Sequence, residues 1–180
     1  MQKKEISKAF KELGTLLELK GENAFKIKAL KKAADIISYY KGDVVTDALA
    51  GSVKGIGPAL RKDIQELVET GSLSYLEEVR SEFDESFLEL LKVRGLGAKK
   101  IAKLRDESGV KSLEDLEALC KSGELAKLKG FAEKTQKNIL ENVEFRKEVR
   151  GYFGIEVIET TANSLIAVSY THLRAHETLL

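Results

Sequence analysis

The sequence predicts an all-α protein of two small helical subdomains, each built around a helix-hairpin-helix motif. Three observations predict it. Apolar residues recur at helical spacing along most of the first 150 residues, and no segment there alternates with period two for long enough to make a strand. The stretch Gly51–Gly71, GSVKGIGPALRKDIQELVETG, places a Gly-x-Gly turn directly before an amphipathic run. The turn then recurs: VRGLGAKKI repeats VKGIGPAL 40 positions on (55 to 95), and LKGFAEK gives a degenerate third copy 35 positions further (95 to 130), with Ala132 where the second glycine stood.

Residues 4–19 read as the first helix, with Ile6, Phe10, Leu13 and Leu17 on one face, ended at Lys20-Gly21-Glu22-Asn23. Residues 24–40 read as the second, with Ala29, Ala33, Ile36, Ile37 and Tyr40 inward. Its first half carries Lys26, Lys28, Lys31 and Lys32 with no acid among them, and the last three share a face by their spacing. Residues 43–50 form a short lead-in to the first hairpin. Gly55 and Gly57 supply conformational freedom and close approach, and Pro58 suits a first helical turn, where its missing N–H is not needed. Leu60, Ile64, Leu67 and Val68 follow on one face, and Gly71 is a C-terminal stop. Residues 72–83 make another helix, 85–92 lead into the second hairpin, and 98–107 leave it. Ser112-Leu113-Glu114-Asp115 reads as a capping box opening 113–121. Residues 125–128 lead into the third hairpin, and 133–150 form a long helix with Ile139, Leu140, Val143 and Val149 apolar. Residues 155–166 suit either a helix or the start of a strand.

The hairpins carry the chemistry. An exposed Gly-x-Gly turn followed by a helix N-terminus offers unpaired amides that suit a phosphate. An ordinary inter-helix turn has no need of a second glycine and an adjoining cation each time. The candidate DNA-binding residues are therefore Lys26, Lys28, Lys31 and Lys32 on the second helix, Lys54, Gly55, Gly57 and Ala59 at the first hairpin, and Arg94, Gly95, Gly97, Lys99 and Lys100 at the second. Net charge is only +1 over 180 residues, so nucleic-acid affinity must come from such local patches. No apolar run is long enough for a membrane span, and the lysine-bearing start has no apolar signal region. The single Cys120 excludes an intrachain disulfide and fits a reducing, cytoplasmic, nucleoid-associated setting, where it serves as a packing residue.

The paired N-terminal helices with Gly21-Glu22-Asn23-Ala24-Phe25-Lys26, the hairpins VKGIGPAL and VRGLGAKKI, and the Glu69-Thr70-Gly71-Ser72-Leu73 turn resemble family X DNA polymerases. The resemblance is to the bacterial type with a C-terminal PHP phosphoesterase domain, and it covers about residues 3–150. It implies a polymerase-beta-like N-terminal domain over 1–72, a fingers-like domain over 73–150 and the start of a connection to a palm over 151–167. In that family the first hairpin holds the downstream strand at a gap edge and the second holds the primer strand. The implied role is the DNA-binding front end of a monomeric gap-filling repair polymerase, on gapped, nicked or primer-template DNA. The resemblance also implies a monovalent cation, Na+ or K+, at hairpin carbonyls, which correspond here to Gly51, Val53 and Ile56, and to Leu91, Val93 and Leu96. Two departures stand out. Family members with deoxyribose-phosphate lyase activity carry a Schiff-base lysine where this chain has Asp63, and a supporting lysine where it has Ala59; Lys62 is one helical step, about 100°, away. The palm aspartates that hold Mg2+ have no counterpart, since Asp115 is the last Asp of the sequence. Residues 168–180 do not resemble the family and read as translated adapter sequence, so that His172 and His176, though four apart, are not taken as metal ligands. The competing readings are a free-standing helix-hairpin-helix module of a nuclease, helicase or ligase partner, and a helical protein-interaction module.

Overall fold

A computed structural model describes residues 2–152 of the chain, with side chains to residue 148. The expectations for 153–180, including the palm connection and the adapter-like tail, lie outside the described residues. Among the described residues the structure is helical throughout, with no strand.

Helix α1 (Lys3–Lys20) organises the first part. Its N-terminus is tied by the Gln2 amide donating to the Glu5 carboxylate at 2.7 Å. Its end is a left-handed Gly21, φ 80°, with the Glu22 amide reaching back to the Leu17 carbonyl at 2.9 Å, the ordinary glycine close of a helix. Helix α2 (Ala24–Tyr39) starts where Asn23 accepts the Phe25 amide at 2.8 Å. The two helices pack along their lengths, with Ile6, Phe10, Leu13 and Leu17 against Leu30, Ala33, Ala34 and Ile37 as the principal buried residues. Within that packing the Ser7 hydroxyl donates to the Ala34 carbonyl at 2.9 Å. The inward face of α2 is Ile27, Leu30, Ala33, Ala34 and Ile37, so Ala29, expected inward, is exposed. It lies one helical step, about 100°, from Leu30. Tyr40, also expected inward, instead follows the helix in extended conformation and donates its hydroxyl to Asp47.

Helix α3 (Val44–Leu49) is capped by Asp43, which accepts the amides of Val45 and Thr46. Helix α4 (Pro58–Thr70) begins with Pro58 in its first turn and ends at a left-handed Gly71, as the sequence predicts. It packs against α3 and buries Ile64 and Leu67, while Val68 stays at its exposed edge. Helices α5 (Ser74–Ser81) and α6 (Glu85–Glu89) follow, then a 3-10 turn (Leu90–Lys92) and α7 (Ala98–Ser108). Both α5 and α7 pack on α1, which accounts for the burial of Leu16 and Leu19 on α1 outside its predicted stripe.

Helix α8 (Leu113–Lys121), a 3-10 turn (Leu125–Lys127) and α9 (Glu133–Tyr152) complete the described residues. The motifs suggest a division near residue 72; contact density divides the chain into two compact units between Leu116 and Glu117. The first two hairpins thus belong to one unit and the third to the other. In the second unit Leu125, Phe131, Ile139, Val143 and Cys120 are buried. Burial pushes the Cys120 thiol up to about 11. Glu117 there is held below the ordinary carboxylate range by hydrogen bonds from Lys121 and Lys147.

Candidate nucleic-acid interface

The two full hairpins share one construction. Val53 and Val93 are buried, as are Ile56 and Leu96 two residues before each following helix. The Ile56 amide donates to the Val53 carbonyl, and the Leu96 amide to the Val93 carbonyl, each at 3.2 Å. These apolar anchors and this tight turn force the residues between them outward, so Lys54, Gly55, Arg94 and Gly95 are exposed. Gly55 and Gly95 take φ of 96° and 86°, where a side chain is strained. Gly55 is constrained twice, because a Cβ there would sit 2.7 Å from Ile36 Cδ1 of α2.

The second glycines have a different reason. Gly57 and Gly97 are extended, φ −80° and −88°, open to any residue. A Cβ on either would meet nothing within 4 Å. They are the N-caps of α4 and α7, where glycine is one of several favoured residues; no packing contact asks for glycine there, and what it preserves is room on the outside. Among the described residues the amides of Gly55, Gly57, Ala59, Gly95, Gly97 and Lys99 donate to no protein acceptor. They sit beside the N-termini of helices of 13 and 11 residues, whose dipoles favour negative charge. The arrangement is a pair of preformed anion cradles on one compact unit.

The cations fall into two groups. Lys28, Lys32, Lys54 and Arg94 are exposed and have no carboxylate partner among the described residues. The others are engaged. Lys26 Nζ donates to the Tyr75 hydroxyl at 2.8 Å and lies 4.2 Å from its ring centre. Lys31 pairs with Glu18 at 2.6 Å. Lys99 is 85% exposed and only 3.9 Å from the same carboxylate, a loose pair that a phosphate can displace. Lys100 Nζ bends back to the Gly95 carbonyl at 3.2 Å, so its charge sits at the second hairpin itself.

The carbonyls expected to hold a cation are not alike. Those of Val53 and Val93 each accept one amide within the turn, while those of Gly51, Ile56 and Leu96 accept none among the described residues. Leu91 is half-buried in the 3-10 turn before the second hairpin.

Asp63 is half-buried on α4 and its carboxyl is raised, first by burial and then by Glu66, with Lys26 pulling the other way. The third hairpin repeats the backbone of the others. The Phe131 amide donates to the Leu128 carbonyl at 3.1 Å and Gly130 has φ 100°. It has exposed Ala132 in place of the outer glycine. The residue that the sequence reading passed over is Arg61. Its signal was the α4 face of Pro58, Arg61, Lys62 and Gln65, which carries two cations and no acid.

Residues 1–73 match the helix-hairpin-helix domain, and residues 87–144 match the SAM-like helix-hairpin-helix tandem. Over 141 residues, 78% of this chain, the sequence is 36% identical to the DNA polymerase/3′-5′ exonuclease PolX of Bacillus subtilis (strain 168). The match spans 25% of that relative's length.

Proposed function

We infer that this chain, a family X DNA polymerase segment by its helix-hairpin-helix domains and its relative, is the DNA-holding front end of such an enzyme. The observation that carries the reading is the pair of outer glycines, Gly57 and Gly97, which the protein's own packing does not require. Each leaves a cradle of unpaired amides open to an approaching phosphate. The contacts are to backbone, so binding is independent of base sequence. Lys28, Lys32, Lys54, Arg94, Lys99 and Lys100 supply charge around the cradles, with Lys26 and Lys31 beside them. One hairpin takes the strand downstream of a gap and the other the primer strand, which favours gapped or nicked DNA over intact duplex. A monovalent cation at the hairpin carbonyls, Na+ or K+, fits the open acceptors of Gly51, Ile56 and Leu96. The chain acts as a monomer in this reading.

The test is fluorescence anisotropy with a gapped duplex and an intact duplex of the same sequence over a range of salt. The gapped DNA is expected to bind more tightly, with log K falling against log salt by about 0.9 for each phosphate neutralised. A slope near zero, or discrimination among duplexes that differ only in sequence, overturns the reading. Equal affinity for gapped and intact duplex leaves a general helix-hairpin-helix module and removes the gap preference.

A further inference from the structure

Below the first hairpin, Leu49, Pro58, Arg61, Lys62 and Gln65 line an open groove of ≈ 360 Å³. Four of these residues are spaced i, i+3, i+4 and i+7 on α4, so they form one continuous strip of that helix. The strip opposes the buried residues Ile64 and Leu67. Leu49, from α3, forms the other wall. Arg61 is half-buried here, and its Nε is fully enclosed with no hydrogen-bond partner. The guanidinium lies against the backbone of Gly51, where a Cβ would come within 2.8 Å of Nη1. Gly51 stands at φ 80°, which by itself favours glycine, and the missing Cβ also leaves room for the arginine head.

Burying part of a guanidinium without a partner is costly, and a chain with 29 acids has ample means to pair it. Among the described residues none does so, and none pairs Lys62. Gln65 does not compensate: its amide nitrogen donates to Glu69 at 2.7 Å, and its amide oxygen accepts no hydrogen bond from Arg61 among the described residues. Asp63, the nearest acid in sequence, belongs to a different face and interacts with Lys26. The result is two neighbouring cations in a groove, one of them held in place by packing, with Nε sealed from any ligand and the unpartnered Nη groups left to carry its charge outward. A planar guanidinium with a lysine beside it suits a phosphate oxygen pair.

We propose that the groove of Arg61 and Lys62 is a second phosphate site of the first hairpin, taking the phosphodiester next to the one held at the Gly57 amide. The inference rests on the DNA-holding reading above. Arg61 lies four residues past Gly57, about 6 Å along the helix. A strand seated on the hairpin amides and running along α4 brings its neighbouring phosphate to this groove. The first hairpin then grips two consecutive phosphates, one by backbone and one by side chain.

The experiment compares Arg61→Gln, Lys62→Gln and Arg61→Lys with the parent chain by anisotropy on the gapped duplex across salt, with thermal melts of each. Arg61→Gln and Lys62→Gln are expected to bind more weakly and each to reduce the salt slope by about 1. Arg61→Lys should recover the slope but not the full affinity, since it keeps the charge and loses the planar fork. Parent-like affinity and slope in both glutamine variants overturn the proposal and leave the DNA-holding reading intact. So does a lowered melting temperature in Arg61→Gln with no effect of Lys62→Gln, which makes the guanidinium a packing element. Failure of the parent to bind any DNA removes both.

Discussion

At the residue scale the two glycines of each hairpin are separable, and the separation is testable. Gly95 sits at φ 86°, so valine there is strained by roughly 1–3 kcal/mol. Gly97→Val meets no such penalty, because its φ of −88° is open to any residue and no protein atom lies within 4 Å of the new Cβ. Gly97→Val is therefore expected to lose only what a poorer N-cap costs α7 and to bind DNA far more weakly, whereas Gly95→Val carries the backbone strain as well. Unchanged affinity in Gly97→Val removes the second hairpin from the interface. The sequence made the paired glycines visible but not their different duties, since a dihedral angle and an empty volume are properties of the folded turn. Cys120 is a second case. Its thiol is raised from 9.0 to about 11 by burial, with a smaller push from Glu117. Between those values the unfolded chain has lost the thiol proton and the folded chain keeps it, so this group lowers stability as pH rises through the interval. Native protein at pH 8 is expected to resist alkylation by iodoacetamide until denaturant is added. Rapid labelling of the native fold refutes the buried thiol.

At the scale of the element, helix starts and stops were the most legible features. Gly21 and Gly71 end α1 and α4 and Pro58 opens α4 as read, while the caps at Asn23 and Asp43 stand where the reading had only a break and a helix start. Asp43 gives a measurable consequence. Hydrogen bonds from the Thr46 hydroxyl and the Thr46 and Val45 amides hold its carboxyl below the usual range. A carboxylate lowered by folding contributes stability that is complete above its unfolded pKa and is lost as pH falls through its folded value. Asp43→Ala should therefore be less stable than the parent near neutrality, with the difference shrinking on acidification below the normal aspartate range. A difference that stays constant down to pH 2 shows that the carboxylate charge is not what caps α3. Less legible was the inward face of a helix with several partners. Ile6, Phe10, Leu13 and Leu17 follow one stripe of α1, but Leu16 and Leu19 are as deeply buried because α5 and α7 cover the next face. A single amphipathic stripe describes a helix with one neighbour, and the periodicity of α1 does not reveal that it has three.

At the scale of the molecule, the motif boundary and the packing boundary differ because they record different things. A helix-hairpin-helix unit is a local device, complete in about twenty residues, so its copies can be counted from sequence alone. Compact units follow from long-range packing, and α1 joins α2, α5 and α7 across the expected division near residue 72. Holding DNA needs only the local device; cutting or joining it needs more. Nucleotidyl transfer requires clustered carboxylates around two metal ions, and no group of three or more potential metal-binding side chains exists among the described residues. Beyond Asp115 the sequence contains no aspartate at all. Lyase chemistry requires an amine that can lose its proton and attack a sugar aldehyde. The position the family resemblance would assign to it holds Asp63, whose carboxyl is raised by burial and by Glu66, with Lys26 pulling the other way. Lys62 lies on the groove face of the same helix, directed to a different surface. The chain of 180 residues is therefore expected to bind gapped DNA with neither primer extension in Mg2+ and deoxynucleotides nor a borohydride-trapped adduct with a 5′-deoxyribose phosphate. Incorporation of nucleotide by the purified chain would reveal a metal site outside the described residues. A trapped adduct lost in Lys62→Ala, but retained in Lys26→Ala, would put the reactive face of α4 on its groove side and shift the alignment of the first hairpin by one residue.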